Sequence, residues 1–279
     1  MKLVVSVNHT EEIRPCLENG ADEVVLAVRG HSFTALKKTN LCDLPDDERV
    51  GLLVNKLYFP AEMDSMHKLL DEIENRSFSS VYFADPAVAA YAWNKTLCRK
   101  LIYRPDTLVT SSNDAGWWMN RGIASVTVSP LLTLEEIRKI TGHQKHLELI
   151  IHGYTLVSAS RRKLVQAYLE RNVDETDGLA IREESRDSHM PVYETEEGTL
   201  VYSDQVQQSF AYIREFAESR VDRLYIEGVF MDTEELLDTI RLYRTILEKD
   251  HPETELEEYK SKYKHRNLGE GYYGEKTIL

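Results

Sequence analysis

Short apolar, β-branched runs recur along the chain, each followed by a polar or helix-patterned stretch. LVVSV (3–7) precedes the acidic segment HTEEIRPCLENG, which ends on Gly20. EVVLAV (23–28) precedes a polar segment. GLLVNKLYF (51–59) leads into AEMDSMHKLLDEIEN, where Met63, Met66, Leu69, Leu70 and Ile73 fall at helical spacing. SVYFAD (80–85), KLIYRP (100–105), SVTVSP (125–130), HLELIIHG (146–153) and RLYIEG (223–228) complete a set of eight. Two helix starts carry capping chemistry. Thr133 followed by Glu136 is a capping-box pattern, and Asp232 or Thr233 opens the amphipathic segment DTEELLDTIRLYRTILEK (232–249).

Eight such runs alternating with helices predict an α/β chain with parallel strands joined by crossovers, closed as a (β/α)8 TIM-type barrel. An open doubly wound sheet is the alternative, but the turn after the first run reads SVNHTEEI and lacks the Gly-rich fingerprint. One region breaks the rhythm. Roughly fifty residues separate the seventh run from the helix before the eighth. Within them LAIREES (179–185) and MPVYETEEGTLVYS (190–203) pattern as antiparallel strands, with Glu197-Gly198 at a turn. The expected organisation is a single domain over 1–279. It has a β-containing insertion between strands 7 and 8, about 154–205, above the barrel mouth, and a C-terminal extension over about 250–279.

At 279 residues and 42% apolar, the chain has ample material for one core. A net charge of −13 argues against a free-standing nucleic-acid binder, because phosphate neutralisation needs clustered Lys and Arg. It leaves room for a local basic patch, or for RNA held by another subunit. Cys16, Cys42 and Cys98 lie far apart with no CxxC, so no zinc ribbon or four-cysteine cluster is available and reduced thiols are expected. The opening apolar run is too short for a signal peptide, and no stretch approaches the roughly 18 apolar residues of a membrane span. A cytoplasmic protein is expected, with no membrane partner.

The runs end at Asn8-His9, Arg29-Gly30, Asn55-Lys56, Asp85, Arg104, Ser129, His152 and Glu227. In a barrel these exits form one ring at the C-terminal face, where active sites sit. Arg29, Lys56 and Arg104 against Asp85 and Glu227 suit a small anionic ligand such as a carboxylate. His152, followed by Gly153, is expected near the barrel axis, as a general base, a ligand holder or a structural histidine. No HExxH or GxSxG occurs. A hydrolytic triad can be drawn from Ser111, His152 and Asp85, but nothing in the spacing selects them.

GADEVVLAVRGHSF (20–33) resembles the early GADAVYLG segment of the peptidase U32, or collagenase-like, family. The resemblance continues through GLLVNKLYF, VYFADPAV, LVTSSNDAG, ASVTVSPLLTLEEI, LELIIHGYTLVSASRRKLV, LAIREESRDSHMPVYETEEGTLVYS and RLYIEGVF. It points most to a short, cysteine-poor branch found beside a longer paralogue in Firmicute-type bacteria. It implies a TIM-type barrel. The activity it implies is peptidase, or hydroxylation of RNA bases or ubiquinone precursors, often with a four-cysteine iron–sulfur cluster. Bacterial tRNA-hydroxylation members form 5-hydroxyuridine at the wobble position, with prephenate implicated.

The departures from the family pattern matter. Family cysteines correspond here to Leu156 and Lys163, and a downstream pair is absent, so no iron–sulfur cluster is expected. The KIEGR-type motif reads YIEGV, with Tyr225 and Val229; REL reads SPL, with Ser129 and Pro130; the StQ-like motif reads SSN, ending at Asn113. Asn55, Asp85, His152, Gly153, Glu227 and Gly228 are retained.

The resemblance therefore implies a part in tRNA wobble-uridine hydroxylation, as accessory or partner of a longer, cysteine-bearing U32 paralogue that holds the tRNA. A collagenase-like peptidase and a non-catalytic binding or scaffold subunit, homo-oligomeric or not, are the alternatives. His152, Glu227 and Asp85 are the candidate catalytic residues. Asn8, Asn55, Lys56, Arg104, Asn113 and Ser129 are the candidates around a small, prephenate-like carboxylate. Arg161 and Arg162 are the candidate RNA contacts, and no metal is expected.

Overall fold

The computed structural model describes residues 1–171, 178–183 and 188–274. In chain order the first half of the barrel is β1 (Lys2–Ser6), α1 (Ile13–Glu18), β2 (Glu23–Ala27), β3 (Val50–Val54), α2 (Met63–Glu74), β4 (Ser80–Phe83) and α3 (Pro86–Ala92). Next come β5 (Leu101–Tyr103), α4 (Ser112–Met119), β6 (Ser125–Thr127), α5 (Leu134–His143) and β7 (Leu147–Ser160). The insertion holds α6 (Leu164–Leu169), β8 (Ala180–Glu183), β9 (Ser188–Thr195) and β10 (Gly198–Gln208). Then α7 (Ile213–Glu218), β11 (Val221–Ile226), α8 (Thr233–Glu248), α9 (Glu253–Lys262) and β12 (Leu268–Gly269) complete the described chain.

Strands β1 to β7 and β11 are parallel neighbours, and β11 pairs with both β7 and β1, which closes the barrel. All five residues of β2 and of β3 are buried, as expected for strands with helices on one face and the barrel interior on the other. The second crossover departs from the repeat. Between β2 and β3 a single 3-10 turn at Leu41–Asp43 stands where a helix would be, consistent with a polar segment that carries no apolar stripe.

The apolar periodicity of α2 is realised in buried Met66, Leu69, Leu70 and Ile73, each contributing about 1.5–3 kcal/mol of burial. Thr133 and Glu136 form the capping box of α5, and Asp232 caps α8 by accepting from the Glu235 amide at 2.8 Å.

Strand β7 is longer than its apolar pattern announces. It does not stop at His152-Gly153 but runs on to Ser160, leaving the barrel rim and pairing antiparallel with β10. Strands β9 and β8 extend that sheet. The insertion is thus an antiparallel sheet continuous with one barrel stave. The part of LAIREES at 184–185 lies outside the described residues, as does 275–279 of the extension. Phe33, Leu200, Tyr202 and Val229 form the small apolar cluster that seats the insertion on the barrel mouth. The ring of Phe230 packs beside them against Tyr154, Tyr193 and Tyr202. The extension fastens the outside: β12 pairs with β10, and Tyr273 OH bonds Ser209 Oγ at 2.6 Å. Among the described residues, no helix is long and apolar enough to cross a membrane.

Candidate functional site at the barrel mouth

Alternation sends every second residue of each barrel strand to the interior, and the polar ones there form two separate layers. The deeper layer is Glu23, Ser80, Tyr82, Thr127, Glu148 and Arg223. Arg223 bonds Glu23 at 2.7 Å and Glu148 at 3.0 Å. Tyr82 OH accepts from Arg223 at 2.8 Å and donates to Glu148 at 2.6 Å. Ser80 donates to Glu23 at 2.5 Å, and Thr127 to Glu148 at 2.8 Å. Burial alone would raise the Glu23 carboxyl, but Arg223, Ser80 and Lys2 together hold it below its ordinary range.

The upper layer lies where β5 and β11 leave the barrel. Arg104 is 5% exposed, and its Nη2 bonds Glu227 Oε2 at 2.6 Å. The other Glu227 oxygen accepts from Ser6 Oγ at 2.5 Å, and Ser6 accepts in turn from the Gly228 amide at 2.8 Å. The guanidinium lies 4.1 Å over the Tyr225 ring. Yet Arg104 Nη1 and Tyr225 OH are buried without a hydrogen-bond partner. Such groups cost about 1–3 kcal/mol each when left unmade. Asp106, in the left-handed backbone region at φ 58°, completes the charged set. Burial pushes its carboxyl up to about 6, against the attraction of Arg104 and with the repulsion of Glu227.

Arg104, Asp106 and Glu227 line one small cavity with Thr34, Tyr154 and Tyr202. Its volume is about 30 Å³, space for roughly two water molecules. The roof comes from the insertion. Tyr202 OH donates to the Thr34 carbonyl at 2.7 Å, so the roof is latched to the β2–β3 connection.

Of the residues singled out in sequence, the mouth brings together Arg104 and Glu227. His152 is corrected. Strict alternation after Glu148 and Ile150 would aim it at the axis, but a bulge intervenes: Tyr225 pairs with Ile150 while Ile226 pairs with His152. His152 therefore shares the outward face of Ile226. It is fully buried there, with Nδ1 3.1 Å from Tyr243 OH on α8 and Nε2 3.5 Å from Tyr259 OH on α9. Burial, reinforced by Arg266, pushes its pKa down to about 3, which keeps the ring neutral. Gly153 turns the chain past β11 at φ 118°, where a Cβ would meet the Glu227 carbonyl at 2.4 Å.

The remaining candidates lie apart from this pair, and several of them make structural contacts. Asp85 caps α3 through the Ala87 amide at 2.9 Å and accepts from the Tyr58 amide at 2.8 Å. Asn55 accepts from the Phe33 amide at 2.9 Å and donates to Thr34 Oγ1 at 2.5 Å, so it positions the loop that latches the roof. Asn8 donates to the Gly228 carbonyl at 3.2 Å and lines a separate open cleft with Arg29. Lys56 pairs with Glu62 at 2.7 Å and is the main cause of that carboxyl's fall to about 2. Ser129 Oγ caps a turn by accepting from the Leu131 amide at 3.3 Å. Asn113 is exposed in the first turn of α4. Arg161 stacks on Phe59 and bonds the Leu57 carbonyl at 3.0 Å, whereas Arg162 is exposed beyond the end of β7.

The drawn triad is not assembled. Ser111 caps α4, Asp85 caps α3, and His152 faces the helices. Among the described residues no group of His, Cys, Asp or Glu can hold a metal ion. Cys16 and Cys98 are buried and Cys42 exposed on separate elements, so the thiols do not make a cluster ligand set. Asp106, Ser6 and Tyr202 were not singled out in sequence. Only Asp106 carried a signal, as a second charge just past the exit of β5.

Comparison with known proteins bears on what this mouth serves. The tRNA hydroxylation protein P2 of Bacillus subtilis (strain 168) is 21% identical over 305 aligned residues, covering 99% of this chain and 98% of its own length. The solved structure of the U32 peptidase Mk0906 superposes with a TM-score of 0.51 at 14% identity, covering 81% of this chain and 92% of that one. At that identity the likeness speaks for the barrel alone. The sequence model of peptidase family U32 matches residues 8–278, a span that takes in barrel, insertion and extension together, and the chain belongs to peptidase family U32.

Proposed function

We propose that this chain takes part in tRNA hydroxylation, in the formation of 5-hydroxyuridine at the wobble position, as partner of a longer, cysteine-bearing family member. The observation that carries the reading is the end-to-end similarity to tRNA hydroxylation protein P2, over 99% of this chain. Two features of the molecule support the partner role. The mouth cavity, at about 30 Å³, has no room for a nucleobase, which an enzyme acting on a base must enclose. The buried thiols Cys16 and Cys98 are both pushed up in pKa, chiefly by burial, and are poor thiolate donors.

In this reading Arg104 and Glu227 hold and orient a small anion at the mouth. RNA phosphate meets the exposed Arg162 and Lys163 beyond β7, a basic point on a chain of net charge −13. The family name favours proteolysis as a second reading, but among the described residues no nucleophile–base pair supports it at the mouth.

Nucleoside mass spectrometry of bulk tRNA from a deletion strain tests the proposal, with the longer relative intact and then also removed. Loss of 5-hydroxyuridine derivatives, restored by a plasmid copy, is the expected result. Unchanged levels in both backgrounds overturn it and move proteolysis ahead.

A further inference from the structure

Helix α6 is held in an unusual way. Helices this short do not stand alone in water, and in proteins they are stabilised mostly by burying an apolar face. The sequence of α6, LVQAYL, supplies the apolar residues, yet none of them is buried. Polar contacts at its first turn fasten it instead. The buried Glu194 carboxylate of β9 accepts from the Val165 amide at 2.8 Å and from the Gln166 amide at 3.1 Å. Thr199 Oγ1 of β10 accepts from the Leu164 amide at 2.9 Å. The helix is thus fixed on the insertion sheet with Leu164, Tyr168 and Leu169 left exposed. Tyr168 is 86% exposed, more than any other large hydrophobic side chain among the described residues.

Cations flank this helix. The charged residues of 161–171 are Arg161, Arg162, Lys163, Glu170 and Arg171, a local reversal on a chain of net charge −13. A second aromatic plane adjoins through Arg161. Phe59 is 59% exposed, and the Arg161 guanidinium lies 4.2 Å over its ring while pairing with Glu62.

We propose that α6 and the residues leading into it hold an unpaired stretch of RNA, with one base stacked on Tyr168 and the adjoining phosphates on Arg162 and Lys163. The Arg161–Phe59 stack offers a plane to a second base. Aromatic planes interleaved with cations suit a single strand, whose bases are free to stack and whose backbone is anionic. A duplex keeps its bases stacked on one another and gives Tyr168 none to receive. A second copy of the chain, meeting this face across a two-fold axis, would set Arg162 and Lys163 against their own counterparts. The site rests on the reading of the chain as a participant in tRNA hydroxylation and deepens it, by adding aromatic planes to the cations that meet phosphate.

The test is fluorescence anisotropy of a labelled RNA hairpin whose unpaired loop carries the wobble uridine, titrated with the full chain at about 50 mM salt. A blunt RNA duplex of the same length is the comparison. The hairpin should bind about tenfold or more tighter than the duplex. Tyr168→Ala should weaken the hairpin about tenfold, and Tyr168→Phe should stay within about twofold of wild type, because the ring is kept. Replacing Arg162 and Lys163 together by Gln should flatten the slope of log K against log salt by roughly 1 to 1.5. All three side chains are exposed, so the variants should unfold at the wild-type urea midpoint. A hairpin that does not bind, or binds no tighter than the duplex, overturns the proposal. So does unchanged hairpin binding in Tyr168→Ala; if that variant instead loses the longer family member, the face belongs to a protein. Failure here with 5-hydroxyuridine still lost from the deletion strain removes the site and leaves the tRNA reading. Hairpin binding through Tyr168 with unchanged 5-hydroxyuridine removes the reading and leaves the site.

Discussion

Two arginines sit inside one barrel, each beside a tyrosine and each paired with carboxylate, and they are finished differently. Arg223 in the deeper layer bonds two buried carboxylates and a phenol, and every partner is itself bonded again. Arg104 in the upper layer bonds one part-buried carboxylate and leaves an N–H buried and unmade. A closed network fixes the position of the strands that carry it. An open one stores the capacity to bind, because a ligand recovers hydrogen-bond energy that folding left behind. The same residue type is thus fully paired at one depth and left with an unmade N–H at the other, and the difference lies in completeness of pairing rather than burial.

That contrast ranks the expected effects. Arg223→Met strands Glu23 and Glu148 in the interior and should cost about 3–5 kcal/mol in urea unfolding. A cost below that of the Arg104 variant would break the comparison. His152 lies outside both layers and gives an acid-sensitive reference. Its folded pKa is depressed to about 3, so its contribution is intact above its unfolded value near 6.5 and is lost as pH falls toward about 3. Wild type should therefore lose roughly 3 kcal/mol more than His152→Gln between about pH 7 and about pH 4; parallel urea-midpoint curves would place the imidazole in water.

Arg104→Met should cost only about 1–3 kcal/mol, because Glu227 keeps Ser6 and is 21% exposed on its side chain. The smallest effect belongs to Tyr225→Phe, which deletes a hydroxyl that has no partner. Its unfolding free energy should stay within about 1 kcal/mol of wild type, and a larger loss would mean that hydroxyl is already bonded.

Much of this was legible in the sequence. The eight strand runs, the caps of α5 and α8 and the β insertion all follow from apolar period and end chemistry, which are local. Arg104 and Glu227 were legible as strand exits for the same reason. His152 was misplaced because a bulge near Ile151 moves it to the outer face, and a single extra residue in pairing register leaves no mark on the apolar pattern. Asp85 stands in the structure as a helix cap, a role that looks the same as a catalytic carboxylate at a strand end when read from sequence. Tyr202 was invisible because it reaches the mouth from the insertion, through a long-range latch to Thr34.

Complementation of the deletion strain with Arg104→Lys beside wild type tests most directly that this mouth serves tRNA hydroxylation. Nucleoside mass spectrometry should show 5-hydroxyuridine derivatives restored by wild type and left depleted by the variant at equal soluble protein. Full restoration by Arg104→Lys would contradict a role for the mouth.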